Sequence, residues 1–176
     1  MLTVEYGFNI TQLKQDARSY YETYAPQHHQ ICTTGTSPNE SPLQGSGSLV
    51  KDWKDATTKV RFENPLTETE FVHFLDVFKG HYVEEVYAQL SNRWNIGRLR
   101  FMFLRPKTCL SWHRDDTQRV HVPIHTHTKK TALILEDQVL RMPANGHAYL
   151  VDTRLAHTVF NGWDEVRIHL VGTVLS

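Results

Sequence analysis

His113 and Asp115 stand one residue apart, and on an extended backbone residues i and i+2 project to the same side with their Cα atoms roughly 6.6 Å apart. That spacing suits two ligands meeting at one metal ion. A His, a carboxylate two residues on and a distant second His make the 2-His-1-carboxylate arrangement, which holds one face of Fe(II) and leaves the other positions for co-substrate and O2. His157 is the best-placed second His: it follows the turn-like Asp152-Thr153-Arg154-Leu155-Ala156 and opens a new strand pattern. A His-x-Asp pair alone is a weak signal, because 11 His among 19 acidic residues produce chance pairs whose commoner role is a surface ion pair. Asp116 is the neighbouring acid, but at i+3 on a strand it points away from His113.

Two further segments place charge on one face. In Arg119-Val120-His121-Val122-Pro123-Ile124-His125-Thr126-His127, the residues Arg119, His121, Pro123, His125 and His127 share one side and Val120, Val122 and Ile124 the other. Near the end of the chain Arg167 and His169 oppose Val166, Ile168 and Leu170. If the aliphatic faces pack on outer helices, the polar faces line an interior where two guanidinium groups need an anion. A small dicarboxylate fits, because Arg meets carboxylate in a bidentate fork. The same alternation is equally compatible with solvated polar faces carrying ordinary surface charge.

The elements that must position these residues are readable in outline. A helix is expected over Ile10 to Tyr24 and a short strand over Gln30 to Thr34, followed by the Gly-, Pro- and Ser-rich stretch Thr33 to Ser48, a surface loop or active-site flap. Thr67 and Glu70 form a capping box ahead of Phe71, Phe74, Leu75 and Phe78, predicting a helix that Gly80 stops. A second amphipathic stretch with Val83, Val86, Tyr87 and Leu90 ends near Asn92. From Gly97 the period becomes two, with strands expected at Gly97–Phe103, Gln118–Thr128, Thr131–Leu135, Gln138–Met142, Gly146–Asp152, His157–Trp163 and Glu165–Leu175. The fold class is therefore mainly β with flanking helices, an antiparallel sandwich or barrel in one domain over residues 1–176. A helical and loop-rich part occupies about 1–96 and a β core about 97–176. The Tyr20, Tyr21, Tyr24, Trp53, Trp112 and Trp163 rings are read as packing residues before pocket walls.

Composition removes several classes of function. A chain of 176 residues, 40% hydrophobic and 11% aromatic, can bury a core and is not disordered, collagenous or a coiled coil. Lys plus Arg and Asp plus Glu number 19 each, so no electrostatic footprint for nucleic acid or an anionic membrane is present. Cys32 and Cys109 form no Cys-x-x-Cys pair and read as reduced thiols. There is no basic start followed by an apolar run and no stretch near the roughly 18 apolar residues of a span. A cytoplasmic protein is expected; oligomeric state is not readable.

The run LSWHRDDTQRVHVPI, followed by GHAYLVDTRLAHTVFNGWDEVRIHLVGTV, resembles the aspartyl/asparaginyl β-hydroxylase family of Fe(II)/2-oxoglutarate-dependent oxygenases over roughly residues 97 to 175. The family pattern combines a metal His, an Arg-x-His strand, a strand running from a Gly to an Asp, a second metal His and an Arg ten residues later; here these fall on His113, Arg119-Val120-His121, Gly146 to Asp152, His157 and Arg167. The resemblance implies a double-stranded β-helix, a cupin-like jelly roll with the metal between its sheets. It implies Fe(II) on His113, Asp115 and His157, and 2-oxoglutarate held by Arg167 at its distal carboxylate, with Arg119 and His121 contacting it from the neighbouring strand. The implied reaction consumes O2, hydroxylates an amino-acid or peptidyl side chain of Asp/Asn or Pro type, and releases succinate and CO2. The chain departs from the pattern twice: Asp115 stands where some members have Gly, and Met102 where the family has a Ser that contacts the co-substrate. Two competing readings are a cupin-like metal-dependent hydrolase or isomerase, which does not need the inward Arg pair, and a non-enzymatic small-molecule-binding jelly roll.

Overall fold

The segments of period two pair as antiparallel strands in the computed structural model, which describes residues 1–24, 28–47, 49, 51–53, 59–61 and 66–175, with only the backbone of 51–53 and 59–61. In chain order the elements are β1 (Leu2–Glu5), α1 (Ile10–Tyr24), β2 (Gln30–Cys32), β3 (Thr34–Gly35), β4 (Lys51–Trp53), β5 (Lys59–Arg61), β6 (His73–Phe74) and α2 (Tyr82–Ser91). They continue as β7 (Ile96–Leu104), β8 (Thr108–Cys109), β9 (Gln118–His125), β10 (Thr131–Leu135), β11 (Gln138–Leu140), β12 (His147–Val151), β13 (His157–Asn161) and β14 (Arg167–Val174). Six strands form one sheet in the order β1-β12-β9-β14-β7-β2, and four form a second in the order β11-β10-β13-β8. From β7 to β14 the chain crosses repeatedly between them: β7, β9, β12 and β14 lie in the larger sheet, and β8, β10, β11 and β13 in the smaller. This double-stranded β-helix brings residues far apart in sequence onto one interior surface.

The aliphatic face of the larger sheet looks outward. Leu99, Phe101, Phe103, Val120, Val122, Ile124, Ile168 and Leu170 pack with Leu13, Ala17 and Tyr20 of α1 and Val83, Val86 and Leu90 of α2 in one buried cluster. Both helices thus lie outside the barrel because their apolar stripes have that sheet face to bury. A second, smaller cluster of Leu133, Leu135, Met142, Tyr149, Val151 and Val159 fills part of the interior. Besides Met102 and Val171, inward positions of the larger sheet carry charge and imidazole: Arg98, Arg100, Arg119, His121, Arg167 and His169 are all buried.

Local pattern and tertiary structure disagree in three places. The helix predicted after Thr67 is only a single 3-10 turn at Glu68–Glu70, followed by β6 and a second turn at Asp76–Phe78. The Glu70 carboxylate does accept from the Thr67 N–H at 2.6 Å, yet the next residues give their backbone to strand pairing with β3, Thr34 opposite Phe74, and to the Leu75 N–H bond to the Thr33 carbonyl at 3.0 Å. Docking Phe71, Leu75 and Phe78, each fully buried, outweighs helix continuation. In β9 the ladder with β14 shifts register between Ile168 and His169, so the alternation does not continue to His125. That ring lies beside α1, its Nδ1 2.9 Å from Lys14 Nζ and its Nε2 2.8 Å from Glu165. Finally, β1 is an added edge strand that the sequence pattern does not announce. Ser48 and the side chain of Trp53 lie outside the described residues. None of the described helices is long and apolar enough to cross a membrane.

Candidate metal centre

His113 and His157 face each other across the edge of the smaller sheet. The His113 N–H donates to the His157 carbonyl at 3.0 Å and the His157 N–H to the His113 carbonyl at 2.9 Å, so the two residues form one antiparallel bridge with ring centroids 4.2 Å apart. The Asp115 N–H bonds the Thr153 carbonyl at 2.9 Å, which ties the third group to the turn before β13. One ligand atom from each of His113, Asp115 and His157 lies within 4.8 Å of the others, and no other group of at least three His, Cys, Asp or Glu among the described residues does this. Asp116, by contrast, is exposed and outside the group.

Hydrogen bonds select the tautomers. His113 Nδ1 is 2.7 Å from the Ser111 carbonyl and His157 Nδ1 is 3.1 Å from the Leu155 carbonyl. A carbonyl only accepts, so each ring carries its proton on Nδ1 and keeps the Nε2 lone pair free. His157 Nε2 lies 3.7 Å from the Asp115 carboxylate. Burial lowers the His157 pKa, favouring the neutral ring that a metal ligand must be. Two neutral imidazoles and one carboxylate with backbone-oriented rings are a donor set that fits a divalent first-row metal ion. His157 is buried, whereas His113 and the neighbouring Trp112, 57% exposed, open to solvent.

Deeper between the sheets lies a guanidinium without a counter-ion. Arg167 is 4% exposed, donates to His169 Nδ1 at 2.9 Å, and makes no ion pair among the described residues; burial alone draws its pKa down to about 9. Because His169 accepts on Nδ1, its proton sits on Nε2, which has no partner among the described residues. Neither ring nitrogen of His121 has one. Burial, reinforced by the Arg167 charge, holds both histidines well below the ordinary imidazole value. Thr126, Thr131, Ala132, Leu133, Leu140 and Met142 line the narrow space around Arg167 and His169. An uncompensated buried cation beside orphaned ring nitrogens is costly unless a polar anion joins it. Met102 lies opposite His169 across the β7–β14 ladder and brings no hydroxyl.

Arg119 sits between this interior and the metal ligands. It meets Asp115 at 3.2 Å, Glu68 at 2.6 Å and the Thr173 hydroxyl at 3.1 Å, and also bonds the Thr117 hydroxyl. Glu68, Arg98 and Arg100, which join it, escaped the sequence reading. Arg98 and Arg100 share a face with Met102 by simple alternation, a signal for inward charge; Glu68 had none, since its role depends on the turn at Glu68–Glu70 packing against β7. Burial pushes the Glu68 carboxyl up, but Arg119, Arg100 and Arg98 together outweigh it and hold its pKa below the usual value.

Fold and site together define a double-stranded β-helix protein with a His-Asp-His group that could hold a metal ion. The family model for aspartyl/asparaginyl beta-hydroxylase matches residues 79–175, more than half of the chain, and the protein belongs to that family. Comparison with curated proteins finds no match. Among solved structures, an oxidoreductase of the 2OG-Fe(II) oxygenase family from Burkholderia pseudomallei is similar at 13% identity over 85% of this chain and 69% of its own, with a TM-score of 0.44. AviO1 from Streptomyces viridochromogenes Tue57 is 12% identical over 95% of this chain and 84% of its own, TM-score 0.49. A cupin domain from Bordetella pertussis Tohama I is 18% identical over 45% of this chain and 81% of its own, TM-score 0.39.

Proposed function

We propose that the protein is an Fe(II)/2-oxoglutarate-dependent hydroxylase acting on an amino-acid or peptidyl side chain. The observation that carries this reading is the pairing of a preset Nε2, Nε2 and carboxylate donor set with an uncompensated buried Arg167 on the same interior surface. A metal hydrolase needs the first of these and leaves the second unexplained. Iron with a 2-oxo acid and O2 supplies oxidation of an unactivated C–H bond, with succinate and CO2 as the companion products.

The chain's own residues bind and orient. His113, Asp115 and His157 hold the metal, their Nδ1–H bonds to the Ser111 and Leu155 carbonyls keeping the rings from rotating. Arg167 receives the distal carboxylate of the keto acid, and the buried Nε2–H of His169 is a second donor there. His121, both of whose ring nitrogens are unpartnered, faces the same interior and takes a polar contact with the co-substrate. Arg119 orients Asp115 through its 3.2 Å contact. The apolar cluster of Leu133, Val151 and Val159 excludes water from the inner end.

The test is anaerobic titration with Fe(II) and 2-oxoglutarate, followed by admission of O2 and measurement of succinate. Wild type should convert the keto acid slowly without a prime substrate, Arg167→Ala should lose this, and His113→Ala should lose metal binding. Folded, iron-loaded protein that forms no succinate above the buffer control would overturn the assignment.

A further inference from the structure

Next to the metal ligands, three guanidinium groups converge on a single carboxylate. Glu68 lies 2.6 Å from Arg119, 3.2 Å from Arg98 and 3.7 Å from Arg100. The second nearby acid, Asp115, belongs to the metal set, so a bound cation draws on its charge and leaves the cluster with a larger cationic excess. Arg98 is committed to structure: it bonds the Gly45 and Gly47 carbonyls as well as Glu68, tying that loop to β7. Arg100 is not. It is 6% exposed, yet among the described residues it makes one hydrogen bond, to Gln30 Oε1 at 2.9 Å, and its Nε has no partner. Across β14, with Val171 between them, it lines up with His121, which places it on the interior surface that faces the metal centre.

We propose that Arg100 is the receiving group for a carboxylate of the substrate, and that Glu68 is an internal carboxylate competing for the same subsite. This deepens the hydroxylase reading and rests on it. A carboxylate is the class the cluster already accepts, since Glu68 is one, and the planar fork of Arg100 offers it paired donors. Glu68 is thereby a specificity-determining residue: substrate binding must overcome its repulsion or displace it, so ligands with a well-placed carboxylate gain most and neutral ones gain nothing.

Arginine Nε–H NMR spectra of the full chain, titrated with malonate as probe, test this and keep the two readings apart. The Arg100 signal is assigned by its loss in Arg100→Lys and the Arg167 signal by its loss in Arg167→Lys. Malonate should shift the Arg100 signal saturably, and Glu68→Gln should lower the half-saturating concentration at least about fivefold, as expected for removal of a nearby like charge in a partly buried site. An Arg100 signal that stays put, or a Glu68→Gln titration needing as much malonate or more, overturns the proposal. An Arg167 signal that does not move counts instead against the keto-acid pocket. Melting curves recorded on every variant establish folding, and Arg100→Lys retains the charge should other substitutions at that position fail to fold.

Discussion

Arg167 sets function against stability within one side chain. A buried guanidinium without a counter-ion raises the free energy of the empty protein, and burial already draws its pKa down to about 9. Arg167→Met keeps most of the volume and removes the charge. The melting temperature of the ligand-free protein should therefore rise, by the equivalent of about 1 kcal/mol or more, while 2-oxoglutarate binding by calorimetry disappears. A drop in stability would mean that Arg167 is already compensated. Asp115 allows a second comparison, because some family members carry Gly there. Asp115→Gly should weaken metal binding on the order of 100-fold, the upper end of the 10–100-fold typical of outer-shell groups, and still leave His113 and His157 as a two-ligand site; loss of all measurable binding would show that the imidazoles alone do not suffice.

At the scale of elements, the site depends on two junctions. One is the bridge that lays His113 beside His157, which needs the strand pairing Phe160–Cys109 and Asn161–Thr108 to set its register. The other is Gly146, where β12 begins against the chain between β1 and α1. Its φ is +82°, and a Cβ there would stand 2.8 Å from the Phe8 carbonyl oxygen. Gly146→Ala should thus cost more than the roughly 1 kcal/mol of an ordinary left-handed glycine replacement, read as a lower midpoint in urea, because backbone strain and the Phe8 clash add. Metal affinity measured well below the transition should be unchanged, since β12 carries no ligand. The failed helix after Thr67 belongs to the same scale. Its capping signal is present, but Phe71, Leu75 and Phe78 bury better with the backbone turned toward β3 than they would on a helix face.

For the whole molecule, the polar interior predicts how stability responds to pH. His121 and His169 are held well below the ordinary imidazole value, chiefly by burial, so the folded state keeps them neutral while the unfolded chain protonates near pH 6.5. Their contribution is complete above about pH 6.5 and is lost as pH falls below it, at up to roughly 1.4 kcal/mol per pH unit for each ring. Melting temperatures should fall from pH 7 to pH 5, and His169→Asn should flatten that slope; an unchanged slope would show that His169 does not carry it. Metal binding adds stability of its own, and acid weakens it too because the ligands must be deprotonated. A divalent ion at about 100 times its Kd should add about 2.7 kcal/mol, removable by chelator and absent in His157→Ala.

The alternation in β9 and β14 and the His113-x-Asp115 spacing were legible in the sequence because strand period and i, i+2 spacing are local properties of the chain, whereas His157 joins them only through the bridge to His113. Mainly β architecture and the grouping of Val120, Val122, Ile168 and Leu170 on faces opposite the charged residues followed from the same periodicity. Which way the polar faces looked was not decidable there, since period two separates two faces without saying which is buried. Only the crossing of the chain between two sheets placed Arg119, His121 and Arg167 inside. Likewise only tertiary contact brought Glu68 from one turn, Arg98 and Arg100 from β7 and Arg119 from β9 to a common point, because convergence of distant side chains is fixed by strand order, which no short stretch of residues encodes.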